Sequence, residues 1–92
     1  MKRVVWMPEA LGDLNRLSRF LAELNPAAAR RAVALARVRA GQLAEHPRLG
    51  ERLPGFESRE LRRLSAGNYV LRYELTGQAV TILGVFQTRE GR

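Results

Sequence analysis

The sequence predicts an α+β fold in which a two-helix hairpin packs on one face of a mainly antiparallel sheet. Two amphipathic segments follow one another with only an Asn-Pro break between them, and three strand-like segments come after them. Because the helices and most of the strands are segregated along the chain, an alternating parallel α/β fold is excluded. The expected order is β-α-α-β-β-β within a single domain, residues 1–92.

A short strand and a long helix are predicted first. Arg3–Trp6 is a β-branched and aromatic run, too short for a helix, that ends at Met7-Pro8. Pro8 suits the first turn of a helix, because its missing N–H would have no partner there. Apolar residues then recur every three or four positions up to Leu24, which predicts a helix with one buried stripe. The stripe consists of Leu11, Leu14, Leu17 or Ser18, Leu21 and Leu24, with Phe20 beside it.

Asn25-Pro26 ends this helix and begins a second one. Asparagine is a good N-cap, and the residue before a proline avoids the α region. The second helix is expected over residues 27–45, and the short connection requires an antiparallel hairpin. Mostly small residues lie along one of its faces and permit close approach to the first helix; they are Ala29, Val33, Ala36, Ala40 and Leu43. A loop is expected over residues 47–58.

Three strands are predicted after the loop, over residues 59–64, 68–75 and 79–86. The middle strand alternates, with its two tyrosines and two leucines on one face and Val70, Arg72 and Glu74 on the other. The last strand is apolar on both faces, as is typical of a central strand, and strict alternation groups Phe86 with Val80 and Ile82. The aromatic residues expected between sheet and helices are Trp6, Tyr69, Tyr73 and Phe86.

The chain is strongly basic, with a net charge of +7. Such a charge favours an anionic partner, either an acidic protein or a nucleic acid. Fifteen of the sixteen basic residues are arginine and they are spread along the whole chain, which a GC-rich coding sequence also produces.

Residues for familiar catalytic or metal sites are missing from the sequence. There is no cysteine, and the single histidine, His46, precedes a proline at the end of the second helix. A nucleophile–histidine–acid triad, a phosphate loop and a zinc site are therefore not predicted, nor is any cofactor. No run is long enough to span a membrane or to form a signal peptide, so a cytoplasmic location without a membrane partner is expected.

The remaining candidate site is a set of arginines in and beside the last strands. Arginine binds phosphate and carboxylate groups with two parallel hydrogen bonds. An ordinary solvated face is the alternative. The candidates for binding a target are Arg59, Arg62, Arg63, Arg72, Arg89 and Arg92.

Segments along nearly the whole chain resemble the RelE/ParE superfamily of bacterial toxins. They are Val-Val-Trp-Met-Pro-Glu-Ala at 4–10 with Asp13-Leu14, Asn-Pro-Ala-Ala-Ala-Arg at 25–30, residues 43–50, Gly55, Arg-Glu-Leu at 59–61, Tyr-Val-Leu-Arg-Tyr at 69–73, and residues 80–89. The resemblance implies the toxin of a type II toxin–antitoxin module, of the kind associated with plasmid stabilization. It also implies a cognate antitoxin whose tail wraps over the toxin.

The superfamily has two branches with different targets. RelE-like members cut mRNA on the ribosome with basic residues and a histidine or tyrosine near the C-terminus, whereas ParE-like members are associated with DNA gyrase. Gln87 stands where many relatives carry that histidine, Val70 stands where the nucleases carry an arginine, and no tyrosine follows. Only Arg62 and Arg89 fall near basic positions of the family. The resemblance therefore favours a non-enzymatic, ParE-like gyrase inhibitor, with a ribosome-dependent mRNA interferase or a non-toxic nucleic-acid-binding module as alternatives.

The antitoxin is expected to present an acidic amphipathic tail to an apolar groove with a basic rim. The expected contacts on the two helices are Leu14, Arg16, Arg19, Arg30, Arg31 and Arg37, and Arg72 on the sheet is a further candidate cation of the rim.

Overall fold

A computed structural model describes residues 1–88, which form a five-stranded sheet with two helices. The elements are β1 (Arg3–Trp6), α1 (Pro8–Leu24), α2 (Pro26–Gln42), β2 (Glu51–Arg52), β3 (Glu60–Ala66), β4 (Tyr69–Leu75) and β5 (Ala79–Gln87). The α+β prediction is confirmed. The two-residue strand β2 lies in the predicted loop, and α2 ends three residues before the predicted boundary. No helix of the described part is long and apolar enough to cross a membrane.

The sheet has the order β1-β5-β4-β3-β2. Strands β2 to β5 pair antiparallel with their neighbours, whereas β1 pairs parallel with β5. The first and the last strand of the chain are thus neighbours in the sheet, and β5 lies between β1 and β4.

The core lies between the helices and one face of β3, β4 and β5. The Asn25 side chain accepts a hydrogen bond from the Ala28 N–H at 3.1 Å, so the predicted cap begins α2. Ala36 and Ala40 are buried on α2, where small side chains bring the helix close to its neighbours. The largest fully buried side chains are Tyr73, Leu43, Leu71, Ile82, Val80 and Val85.

The apolar stripe of α1 is only partly buried. Leu14 and Leu17 are in the core, but Leu11, Phe20 and Leu24 are 41%, 61% and 76% exposed. Leu11 and Phe20 lie roughly 180° apart around the helix axis, so one sheet cannot cover both. The prediction that the whole stripe faces the core is wrong at its margins.

A β-bulge in β5 corrects the predicted placement of Phe86. Arg72 pairs with Gly84 and Tyr73 pairs with Ile82, so Leu83 is left as the extra residue. Such an insertion reverses the side-chain alternation beyond it. Val85 therefore joins the core, while Phe86 lies on the face away from the helices. The other three predicted aromatics, Trp6, Tyr69 and Tyr73, do pack into or against the core.

Candidate functional site

Arg62 holds the loop before β2 in place. Its Nη1 donates to the Gly50 carbonyl at 2.6 Å, and its Nε donates to the Glu60 carboxylate at 2.7 Å. The Tyr73 hydroxyl donates to the Pro47 carbonyl at 2.8 Å and accepts from the Gly50 N–H at 3.0 Å. The Arg62 side chain is only 13% exposed. These donors are used inside the protein, which limits what Arg62 can offer to a ligand.

The titratable groups of this cluster are unsuited to proton transfer near neutral pH. The hydrogen bond from Arg62, together with the ion pair to Arg48, holds the pKa of the Glu60 carboxyl below its ordinary value. Burial raises the pKa of the Tyr73 hydroxyl above its ordinary value of 10.0. A general acid or base needs a pKa near the working pH. Within residues 1–88 no group of three His, Asp or Glu side chains could hold a metal ion.

Two further arginine candidates form ion pairs between neighbouring segments. Arg59 binds the Glu74 carboxylate through two hydrogen bonds of 2.9 Å, which lower the pKa of that carboxyl. Arg63 lies 3.4 Å from the Glu51 carboxylate, a looser contact in which Glu51 is 73% exposed. Arg89 and Arg92 lie outside the described residues.

Arg63 on β3 and Arg72 on β4 lie directly opposite each other on the side of the sheet that the helices do not cover. We call this side the arginine face. The Arg72 guanidinium lies over the Phe86 ring, 4.9 Å from its centre. A side chain at position 84 would approach the Phe86 ring to 3.2 Å, so Gly84 allows the ring to lie against the sheet. Sequence reasoning missed this role of Phe86, although the glycine within an apolar strand is a recognised sign of a bulge or a close approach.

A second surface is the interhelical groove, a depression of about 500 Å³ on the helical hairpin. Its apolar part is made of alanines, Val33 and Pro26, and its basic residues are Arg19, Arg30 and Arg37. Its lining residues are Ser18, Arg19, Ala22, Pro26, Ala29, Arg30, Val33, Ala34 and Arg37. Among residues 1–88 none of the three arginines forms an ion pair with a carboxylate.

The structure separates the predicted antitoxin contacts into three groups. Arg19, Arg30 and Arg37 line the interhelical groove, whereas Arg16 and Arg31 do not. Arg16 instead lies 3.4 Å from the Asp13 carboxylate. Leu14 is 3% exposed and belongs to the core, so its choice as a contact is corrected. The groove has an apolar surface bordered by basic residues. Such a surface suits an amphipathic helix that has small apolar side chains on one face and acidic residues beside them.

Comparison with known proteins agrees with this architecture. The family described as "ParE toxin of type II toxin-antitoxin system, parDE" matches residues 4–91. The curated protein "Toxin RelE3" of Caulobacter vibrioides (strain ATCC 19089 / CIP 103742 / CB 15) is 40% identical over 96 residues, covering 100% of both chains. The solved structure "Chromosomal ParDE TA system from P. aeruginosa" is similar with a TM-score of 0.76 at 20% identity, covering 95% of this chain and 96% of that chain. The last similarity shows the fold.

Proposed function

Because the chain belongs to the ParE toxin family of type II toxin–antitoxin systems, we propose that it inhibits growth through DNA gyrase. A toxin of such a system has an antitoxin partner, and we place that partner on the interhelical groove. The observation that supports the gyrase target is the position of Arg62. It is the one described arginine near a basic position of the RelE-like nucleases, and its donors bind Gly50 and Glu60.

The chemistry of RNA cleavage needs more than this site supplies. A ribonuclease of the RelE type stabilises charge on the reacting phosphate and moves a proton to and from it. Arg62 is mostly buried, and the pKa of Tyr73 is raised by burial while its hydroxyl bonds the backbone. Binding to a protein target requires neither group, which favours the gyrase-directed branch.

The interhelical groove supports the antitoxin placement through shape and charge. A helix that docks on alanines can approach closely, and acidic residues beside its apolar stripe would meet Arg19, Arg30 and Arg37. Apolar burial would supply most of the affinity, and the three arginines would raise the association rate.

A supercoiling assay tests the proposed target. Purified gyrase is given relaxed plasmid and ATP with increasing amounts of the toxin, with and without the cognate antitoxin. We expect the toxin to reduce supercoiling and to cause cleaved plasmid to accumulate. The antitoxin should restore supercoiling. Unchanged supercoiling at toxin concentrations well above that of gyrase would refute the gyrase proposal.

The name of the Caulobacter relative favours a second candidate, a ribosome-dependent mRNA interferase. The same toxin preparation is therefore added to a reconstituted translation reaction, and cleavage of the message is mapped. Prompt cleavage at codons within the ribosome, together with unaffected gyrase, would establish this alternative.

A further inference from the structure

The arginine face contains a pair of like charges in an unfavourable position. Arg63 and Arg72 are direct cross-strand partners on two adjacent strands. Side chains in such positions have Cβ atoms about 5 Å apart, and like charges placed there repel each other. Among residues 1–88 the only ion pair formed by either arginine is the contact with Glu51, which is 73% exposed. An anion between the two guanidinium groups would remove this repulsion.

Arg72 is held in place before any ligand arrives. Its guanidinium lies over the Phe86 ring, 4.9 Å from the ring centre, and the ring lies against the sheet because position 84 is glycine. A guanidinium that lies over an aromatic ring can still donate hydrogen bonds from its N–H groups to an oxyanion. Because the rotation of the long side chain is already restricted, less conformational entropy is lost when an oxyanion binds.

We propose that Arg63 and Arg72 bind the backbone phosphates of duplex DNA, so that the toxin contacts the DNA held by its target as well as the target protein. This inference rests on the proposed function and extends it by naming a ligand for the arginine face. It adds no covalent step, since both arginines act only as donors of charge-assisted hydrogen bonds.

The composition of the arginine face favours nucleic acid over an acidic protein. The apolar side chains Leu61 and Val70 on this face are only 5% and 9% exposed, and its more exposed apolar residue, Val5 at 37%, lies on the edge strand β1, two strands away from Arg72. A protein interface has an apolar centre, whereas a DNA interface is polar and strongly positive. The Phe86 ring is already covered by Arg72, so it cannot serve as a stacking surface for an unpaired base as single-strand-binding proteins require. Backbone contact to a duplex fits both observations.

The salt dependence of binding to a labelled duplex of mixed sequence tests the proposal on the full-length toxin. Each phosphate contact contributes about 0.9 to the slope of log K against log salt concentration. We expect the double variant Arg63→Gln/Arg72→Gln to lower that slope by about 1.8. The matched control Arg30→Gln/Arg37→Gln removes the same charge from the helices and should change the slope much less. Circular dichroism and Tm verify that both variants fold.

Two single substitutions distinguish a specific phosphate-binding site from a nonspecific effect of positive charge. Arg72→Lys keeps the charge but loses the paired N–H donors of the guanidinium and its contact with the Phe86 ring, so DNA affinity should fall. Glu51→Gln removes the carboxylate that competes for Arg63, so affinity should rise more than with Glu23→Gln, the same change on the exposed side of α1.

Three results would overturn the proposal. The first is that the wild-type toxin does not bind duplex DNA at 50 mM salt. The second is that the two double variants lower the slope equally. The third is that the toxin binds single-stranded RNA more tightly than duplex DNA and that this binding depends on the same arginines. The last result would identify RNA as the ligand. None of these measurements includes gyrase, so a negative supercoiling assay and a negative DNA-binding assay remain separate findings.

Discussion

Glu60 is the residue whose contacts make the stability of the fold depend on pH. Hydrogen bonds from Arg62 and Arg48 lower the pKa of its carboxyl below the ordinary value of 4.5. The folded state then binds fewer protons than the unfolded chain in this range. The stabilisation is fully present above pH 4.5 and is lost as the pH falls through the folded pKa. The Arg59–Glu74 pair acts in the same direction.

We predict that Glu60→Gln lowers the free energy of unfolding at pH 7 by about 1–3 kcal/mol, because it weakens charge-assisted bonds to the nearly buried Arg62. Urea unfolding at pH 7, 5, 4 and 3 measures the effect. The difference between wild type and variant should shrink as the pH falls below 4.5. Glu23→Gln, at an exposed position of α1, serves as the control. A difference that stays constant down to pH 3 would show that the Glu60 charge is not responsible.

The arginines show how little a sequence reveals about single residues. Residue type and position near the strands make six of them candidate target contacts. Arg59 and Arg62 turn out to bind Glu74 and Glu60, partners that are set by strand register and by the course of the loop. Nothing in the local sequence distinguishes such an arginine from Arg72, which stacks on a ring instead.

At the scale of secondary structure, periodicity predicted the helices and the long strands but not the bulge. Alternation in Tyr69–Leu75 identified β4 and its buried face, and Asn25-Pro26 identified the helix boundary. A bulge depends on the fit between two strands, so the pattern of one strand does not reveal it. The two residues of β2 are likewise too few to show any period, and they pair only because β3 lies beside them.

A residue of α1 binds the backbone of β5 next to the bulge. Asp13 Oδ2 accepts a hydrogen bond from the Val85 N–H at 3.1 Å. We predict that Asp13→Ala lowers the free energy of unfolding by about 1–3 kcal/mol, since it leaves this donor without an acceptor. Asp13→Asn keeps an acceptor oxygen and should cost less. Urea unfolding compares the variants, and equal stability of Asp13→Ala and wild type would mean that the bulge forms without this contact.

At the scale of the whole molecule, basic residues lie on two opposite sides, and we expect a different partner for each side. The arginine face lies on the sheet, and the interhelical groove lies on the helices. We predict that Arg30→Glu with Arg37→Glu slows association with the cognate antitoxin about tenfold or more at low salt, because electrostatic steering is lost. Stopped-flow fluorescence at several salt concentrations measures this rate.

The control for this prediction is Arg16→Glu with Arg31→Glu, which changes the net charge equally but lies outside the groove lining. If both double variants slow association to the same extent, net charge alone controls the encounter. The groove would then not be the antitoxin site that the arginine positions suggest.

The pairing of β1 with β5 has a consequence for how the protein is made. Val4 and Val80 are direct partners, although they lie at opposite ends of the chain. Contacts between such distant residues form late, because a long loop must close before they stabilise anything. Because synthesis proceeds from the N-terminus, β1 leaves the ribosome long before its partner β5 has been synthesised. We expect that a nascent toxin stays incompletely folded, and so harmless, until β5 has emerged, which gives an antitoxin made at the same time an opportunity to be present first.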